Sequence, residues 1–158
     1  MTQRVDLATV MDRLAIDELI SGYAAAVDDG DWEAYRALFT PSGRADYGSA
    51  GGAAGPAAEV AGWLATTMEL FPVRQHLIVN RRIRLEDRGG YPGDAAEVLA
   101  DFLNPMRLRG PDESGDAATA VSPNFVAAGR YTFALARTPD GWRIDGVTVH
   151  EKWRRLSL

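Results

Sequence analysis

The sequence predicts an α+β fold in which a curved antiparallel sheet and three N-terminal helices form a cone with an internal pocket. Two observations lead to this prediction. Apolar residues recur with helical spacing before Pro72, and after Pro72 the period changes to two. Helices followed by consecutive long strands are typical of an antiparallel sheet with helices on one face. Strands of this length curl, so the covered face is concave and has room for a small ligand.

The three helices are predicted at residues 7–27, 32–39 and 56–70. Gly30 ends the first helix, and Asp31 is a suitable N-cap for the second. The third starts with a proline near its N-terminus and ends before Pro72. The apolar stripe of the first helix follows three- and four-residue spacing: Ile16, Leu19, Ile20, Tyr23 and Val27.

The strands are predicted from alternating apolar and polar residues between turn-type connections. A short extended piece at residues 44–47 precedes a Gly/Ala-rich loop, and long strands follow the third helix. The connection at residues 109–123 is long enough to be a lid or a disordered excursion. The four long strands are predicted at residues 73–86, 95–106, 124–137 and 142–153.

Length and composition predict a single domain, residues 1–158, with an ordinary globular core. The net charge is −5, which argues against nucleic acid as a partner, since phosphate binding needs a basic face. The chain has no cysteine, so disulfides and thiolate metal sites are excluded. No segment reads as a signal peptide or a membrane span, and a cytoplasmic location with no membrane partner is expected.

Of the two histidines, His76 is the stronger candidate for chemistry. Strand alternation puts His76 and Asn80 on the same, more polar face of the first long strand. If this face is solvated, His76 is an ordinary surface imidazole. If it lines the cone, His76 and Asn80 are polar groups in a mostly apolar cavity. His150, on the last strand, is interpreted as a structural or rim residue.

Asp28 lies where the first helix ends, and a carboxylate is unfavourable there because the helix dipole is already negative. Either it points to water with Asp29 and Asp31, or it faces inward and pairs with His76. A carboxylate on one imidazole nitrogen fixes the tautomer and stabilises the imidazolium. Tyr23 is about 140° from Asp28 around an ideal helix, so the two flank one cavity only if the helix end is distorted.

Four segments stand in an order and spacing that resemble one family: DELISGYAAAVDDGDWEAYRALFT, RADYG, RQHLIVNRRI and DGWRIDGVTVHEKW. With them the chain resembles the SnoaL-like, scytalone dehydratase-like branch of the nuclear transport factor 2-like superfamily over most of its length. In dehydratases of this family, including bile acid 7α-dehydratase, an Asp-His pair and tyrosines surround the substrate. The resemblance implies catalytic roles for Tyr23, Asp28 and His76, and a place for Tyr47 in the pocket.

One departure from the family pattern concerns the strand after His76. Scytalone dehydratase carries a second active-site histidine there, whereas this chain has Asn104 and Met106. Scytalone itself is therefore not expected as the substrate. Beside the catalytic residues, the substrate-binding set is predicted to be Tyr47, Trp63, Asn80, Phe102, Met106 and Tyr131.

The function predicted from these residues is a cofactor-independent dehydratase acting on a small, hydrophobic, ring-containing carbonyl compound. No metal or organic cofactor is implied. A SnoaL-like polyketide cyclase, a ketosteroid-type isomerase and a non-catalytic small-molecule-binding protein are the alternatives. Epoxide hydrolysis is disfavoured because its Asp-Arg-Asp arrangement is not evident. A homodimer or homotrimer is expected from the resemblance, and the substrate's identity stays open.

Overall fold

The helices occupy the N-terminal part of the chain and the strands dominate the remainder. This is seen in a computed structural model that describes residues 6–89, 93–111 and 121–157. The helices are α1 (Leu7–Asp29), α2 (Trp32–Ala37) and α3 (Ala57–Met68). The strands are β1 (Phe39–Asp46), β2 (Ala54–Pro56), β3 (Val73–Arg74), β4 (Leu77–Glu86), β5 (Ala95–Arg107), β6 (Phe125–Thr138) and β7 (Gly141–Leu156).

The ends of α1 are set by local chemistry, and the glycine stop at its C-terminus is the one that the sequence predicted. Asp6 caps the N-terminus by accepting a hydrogen bond from the Thr9 amide at 2.8 Å. At the other end Gly30 adopts the left-handed conformation, with φ of 67°. The Asp31 amide then donates back to the Ala26 carbonyl at 2.9 Å, which completes a Schellman motif. The chain therefore turns sharply just after Asp28 and Asp29.

The sheet has the strand order β2-β1-β7-β6-β5-β3, and β4 also pairs with β5. The predicted antiparallel meander is present from β4 to β7, and the curved α+β architecture is confirmed. β1, however, joins β7 in parallel, which the sequence did not predict. Pro41 and Gly43, residue types that usually interrupt a strand, lie within β1 where its pairing with β7 is irregular. A Cβ on Gly43 would stand 3.0 Å from the Ile144 carbonyl oxygen, so this close pairing needs glycine.

The strand predicted at residues 73–86 is interrupted in the structure. β3 and β4 pair with successive parts of β5, and residues 75 and 76 between them belong to neither strand. A second irregularity follows between Val79 and Arg82, where Asn80 has φ of 52°. Such a bulge reverses which residues face inward, because side chains alternate along a strand.

The helices cover the concave face of the sheet, and the core fills the space between them. Tyr23 and Ile20 of α1 and Val98 and Phe133 of the sheet are almost completely buried. Within the described residues, no helix is both long and apolar enough to cross a membrane. The predicted lid at residues 109–123 falls largely on 112–120, outside the residues that the structure describes.

Candidate active site

A cavity of about 400 Å³ lies between the helices and the concave face of the sheet. This volume is within the range of pockets that bind drug-sized molecules. Its walls are mostly apolar and aromatic, with a few polar groups. The apolar part includes Val27, Trp63, Leu64, Met68, Phe71, Phe102, Met106, Phe125, Ala127 and Val149. The polar part includes Tyr23, Tyr47, Thr67, His76, Asn104 and Tyr131.

Asp28 and His76 are in direct contact at one end of this cavity. The Asp28 Oδ1 atom lies 2.6 Å from His76 Nδ1, and the imidazole side chain is only 8% exposed. The backbone amide of His76 also donates to the same carboxylate, at 2.9 Å to Oδ2 and 3.1 Å to Oδ1. Since an ionised carboxylate only accepts hydrogen bonds, Nδ1 carries a proton and Nε2 is left as the basic nitrogen.

The interruption between β3 and β4 explains why the His76 amide is available to Asp28. The adjoining pairs of β3 and β4 with β5 continue in one register, which places Gln75 opposite Pro105 and His76 opposite Asn104. Residues 75 and 76 belong to neither strand, so the His76 amide is not part of the sheet ladder. It donates to the Asp28 carboxylate instead.

Arg74 compensates the unfavourable position of Asp28 at the end of α1. Its guanidinium donates to the Asp28 carbonyl oxygen at 2.9 Å and to the Met68 carbonyl oxygen at 2.7 Å. A cation at a helix C-terminus opposes both the dipole and the carboxylate charge. The Asp28 side chain is 22% exposed and borders a separate shallow cleft instead of the main cavity. Asp28 therefore acts on the cavity through His76.

Tyr23 lines the cavity directly, whereas Asp28 is connected to it only through His76, and the end of α1 is not distorted. α1 is helical through Asp29, and the two side chains do point in different directions. His76 joins them, because it reaches Asp28 from the sheet and lines the cavity together with Tyr23. The two residues therefore do not flank one cavity, which agrees with their angular separation around an undistorted helix.

Four tyrosines are grouped beside the cavity, and three of them line it: Tyr23, Tyr47 and Tyr131. Tyr47 is central, with its hydroxyl 2.5 Å from that of Tyr23 and 2.9 Å from that of Tyr35. The Tyr131 phenol interacts in turn with the Tyr23 hydroxyl and with the Asn104 amide. Three hydroxyl protons serve the two hydrogen bonds that join Tyr23, Tyr47 and Tyr35, so one O–H remains to donate elsewhere. Sequence reasoning missed Tyr35, for which only its place on the inner side of α2 gave a signal.

Burial keeps these phenols protonated at neutral pH. Removal from water raises the pKa of Tyr23 and Tyr47 well above 10, and charge repulsion from neighbouring tyrosines raises it further, although the hydrogen bond with Tyr23 lowers the pKa of Tyr47. Burial likewise raises the pKa of Tyr35. For Tyr131 burial raises the pKa to about 12, although hydrogen bonds with Asn104 and Tyr23 act in the opposite direction. The group can therefore donate hydrogen bonds but does not supply a base.

The predicted substrate-binding residues Tyr47, Trp63, Phe102, Met106 and Tyr131 all line the cavity. Asn80 does not, and the prediction for it is corrected. Asn80 is exposed, and its side-chain amide donates to Asp101 at 3.2 Å. The bulge beside Asn80 turns its side chain to the outer face of the sheet. The prediction had placed it inward because side chains alternate along a regular strand that starts from His76.

The mouth of the cavity contains an ion pair that sequence reasoning did not identify. Arg154 Nε lies 2.6 Å from Glu151 Oε1, and a second guanidinium nitrogen donates to the Ala50 carbonyl oxygen at 2.7 Å. Both charged residues line the cavity. His150, the second histidine, is exposed on β7 and lies outside the lining. Over residues 6–89, 93–111 and 121–157, no three His, Asp or Glu side chains cluster in a way that could hold a metal ion.

Comparisons with known proteins agree with the fold and the resemblance. Residues 8–148 match the SnoaL-like domain family. The uncharacterized protein Rv2910c of Mycobacterium tuberculosis H37Rv is 30% identical over 140 residues, which are 89% of this chain and 85% of the relative.

Two solved structures show how widely the fold is shared. The hexachlorocyclohexane dehydrochlorinase LinA-type3 of Novosphingobium barchaimii LL02 superposes with a TM-score of 0.75 at 17% identity, over 97% of this chain and 94% of that one. A candidate scytalone dehydratase of Novosphingobium aromaticivorans DSM 12444 gives a TM-score of 0.71 at 16% identity, over 95% and 90%. The resemblance inferred from the motifs is confirmed. The chain belongs to the SnoaL-like family, within the nuclear transport factor 2-like superfamily.

Proposed function

We propose that this protein is a cofactor-independent lyase that removes water from a hydrophobic, ring-containing carbonyl compound. The observation that carries the proposal is the contact between Asp28 and His76 at the end of an apolar cavity. Histidine serves as a general base when one nitrogen is fixed by a partner and the other faces the reacting group. The fixed nitrogen here is Nδ1, and Nε2 has no hydrogen-bond partner in the described part of the chain.

The reaction begins when Nε2 of His76 takes the proton from the carbon next to the carbonyl group. The electron pair of that C–H bond moves toward the carbonyl oxygen and forms an enolate. A protonated tyrosine of the cavity wall, Tyr23 or Tyr47, donates a hydrogen bond to this oxygen, where charge develops. Asp28 stabilises the imidazolium that results, because its carboxylate lies 2.6 Å from the ring.

The second half of the reaction returns the proton. As the enolate collapses, the bond between the β-carbon and its hydroxyl breaks, and imidazolium Nε2–H protonates the departing oxygen. Water and an unsaturated carbonyl compound are formed, and His76 is neutral again. Acid–base groups of this kind typically contribute about 10²- to 10⁴-fold to the rate.

Dehydrochlorinase and scytalone dehydratase are names carried by neighbours in fold, and both denote elimination reactions. A polyketide cyclase and a ketosteroid-type isomerase also begin with an enolate, so His76 and the tyrosines would serve them equally. A small-molecule-binding protein would use the same cavity without proton transfer. Proton abstraction is therefore the step that separates the enzymes from the binding protein.

The test is α-proton exchange in D₂O, followed by NMR, on ring ketones such as 1-indanone. This ketone lacks a leaving group, so it reports the first step alone. We expect exchange above the buffer rate in the wild type and a loss of at least about 100-fold in His76→Asn. His150→Asn is the matched control, since His150 is exposed and outside the cavity. A His76→Asn variant that exchanges ring ketones as fast as wild type would overturn the assignment.

The elimination step is followed separately with 3-hydroxy-1-indanone, whose dehydration gives an indenone that absorbs in the near ultraviolet. Proton exchange without indenone would favour the cyclase or isomerase. Retained ketone binding with neither exchange nor indenone would favour the binding protein.

A further inference from the structure

Asn104 is the only buried amide or charged side chain in the described part of the chain, with 6% of its surface exposed. It lies on β5 between two other inward-facing residues of the cavity wall, Phe102 and Met106. Its carbonyl oxygen Oδ1 has no hydrogen-bond partner among the residues that the structure describes. Buried polar atoms without partners are rare in folded proteins and need an explanation.

Within the described residues, Oδ1 is the buried polar atom of Asn104 that lacks a partner. The side chain also interacts with the Tyr131 phenol and acts to lower its pKa. An amide nitrogen only donates, so the carbonyl oxygen is left as an acceptor toward the cavity. On the neighbouring strand β6 the cross-strand partner is Ala127, whose small side chain leaves room for a ligand beside the amide.

Asn104 also stands directly beside the proposed base. The pairs that bracket this position fix the register: Arg74 with Met106, and Leu77 with Leu103. His76 is therefore opposite Asn104, and both side chains line the cavity. Directly opposed residues on one face have Cβ atoms about 4.5–5.5 Å apart. A single ligand hydroxyl can bridge two polar side chains at that separation.

We propose that Asn104 Oδ1 selects ligands that bring a hydrogen-bond donor, and that in the substrate this donor is the hydroxyl that leaves. The first part depends only on the cavity, whereas the identity of the hydroxyl rests on the proposed lyase function. The substrate class is thereby narrowed to ring ketones with a β-hydroxyl group. Ethers and unsubstituted ketones of the same shape leave Oδ1 unsatisfied and bind less tightly.

In this arrangement the hydroxyl donates its own proton to Asn104 Oδ1 and presents a lone pair to His76. When the carbon–oxygen bond breaks, the proton on Nε2 moves to the oxygen, and the water formed keeps its hydrogen bond to Asn104. Asn104 is then a contact of the leaving group, whereas the tyrosines contact the carbonyl oxygen. The two ends of a β-hydroxyketone are thus recognised by different groups on the same cavity wall.

The experiment compares 3-hydroxy-1-indanone with 3-methoxy-1-indanone, which has the same ring but no donor at the oxygen. Dissociation constants are measured by NMR titration of wild type, Asn104→Leu and Asn104→Ala. Asn104→Leu removes the amide with little change in volume, and Asn104→Ala provides a second variant should the larger side chain disturb folding. Thr66→Val is the control, since Thr66 lies on α3, is exposed and is outside the cavity lining.

We expect wild type and Thr66→Val to bind the hydroxyketone about five- to tenfold more tightly than the ether, as one buried hydrogen bond allows. In both Asn104 variants the ratio falls to within about twofold of one.

Equal binding of the two ketones by wild type, absence of binding, or a preference that survives in both Asn104 variants overturns the inference. Formation of the indenone is recorded in the same samples, so that the role of Asn104 and the lyase activity are tested separately. A donor preference without turnover supports the role of Asn104 and counts against the lyase. Turnover without a donor preference supports the lyase and counts against Asn104.

Discussion

The carboxylate of Asp28 holds His76 at two points, the ring nitrogen Nδ1 at 2.6 Å and the backbone amide at 2.9 and 3.1 Å. The two contacts fix both the ring and the chain from which it projects. A group held in this way keeps one tautomer and one orientation without help from a ligand. The site is therefore organised before a substrate enters.

We predict that Asp28→Asn changes the tautomer of His76. In the wild type the Nδ1–H form predominates, because a carboxylate only accepts hydrogen bonds. An asparagine can accept or donate, so the preference weakens. The measurement is a long-range ¹H–¹⁵N correlation spectrum of the two imidazoles at neutral pH, with exposed His150 as an internal reference. Identical His76 nitrogen shifts in wild type and Asp28→Asn would contradict the assigned hydrogen bond.

The alkaline pH dependence of stability follows from the tyrosine group. Burial raises the pKa of Tyr131 from 10.0 to about 12, and the pKa values of Tyr23 and Tyr47 are raised as well. Between these values the unfolded chain has lost protons that the folded chain keeps, so the free energy of unfolding decreases as pH rises. The stabilisation is complete below pH 10 and is lost from about pH 10 to 12. Tyr131 alone contributes about 2–3 kcal/mol over this range.

Two measurements check this dependence. Urea denaturation at pH 8, 10 and 11 gives the free energy of unfolding, and Tyr131→Phe should flatten its decrease above pH 10. Absorbance at 295 nm reports ionised phenols directly. At pH 11 the folded protein should develop only a small part of the signal that it shows in urea, and a full native signal would be inconsistent with buried phenols.

β6 and β7 lie very close together at Gly129, so we predict that a larger residue there lowers stability. A Cβ at this position would overlap the His150 carbonyl oxygen and stand 2.9 Å from the Phe102 ring, next to the bulge between Ala128 and Gly129. We expect Gly129→Ala to lower the free energy of unfolding by about 2–4 kcal/mol. Because Phe102 lines the cavity, ligand affinity should fall too.

Gly62→Ala is a control substitution, for which we expect the opposite change in stability. It lies within α3, and a Cβ there would have open space around it. Gly62→Ala should therefore raise stability by about 0.5–1 kcal/mol, because alanine is the better helix former. Urea denaturation of both variants gives the comparison. If the two substitutions had the same sign, the close approach at Gly129 would not be the cause of its effect.

The parts of the fold that depend on neighbouring residues were predictable from the sequence. The N-cap at Asp31 and the glycine stop at Gly30 act within one helical turn, and both are found as expected. The inward-facing residues of β5 follow strict alternation, which placed Phe102 and Met106 correctly in the cavity wall. Spacing along the chain suffices when the element is regular.

The contacts that assemble the site depend on distant segments and could not be fixed by spacing. Asp28 and His76 are 48 residues apart, and only the curvature of the sheet brings the strand over the helix end. The bulge at Asn80 left no mark in the apolar pattern, so the face of that residue was wrong. Tyr35 was not identified from the sequence, because its hydroxyl partner Tyr47 comes from beyond β1.

The hydroxyl of Tyr47 should contribute more to stability and activity than the hydroxyl of Tyr35. Tyr47 hydrogen bonds with two phenols, whereas Tyr35 is bonded through Tyr47 alone and is not in the cavity lining. Removing the Tyr47 hydroxyl therefore disconnects Tyr35 from the others and deprives Tyr23 of a partner. Removing the Tyr35 hydroxyl breaks a single link.

We expect Tyr47→Phe to lower the free energy of unfolding by about 2–3 kcal/mol and Tyr35→Phe by about 1 kcal/mol. In the ketone exchange assay Tyr47→Phe should also lose activity by about tenfold or more, because a donor to the enolate oxygen is lost or misdirected. Tyr35→Phe should retain most of the activity. Urea denaturation and exchange rates of the two variants test both statements. Equal losses of stability would mean that the hydroxyls act separately, since only a connected group makes the central member more costly to remove.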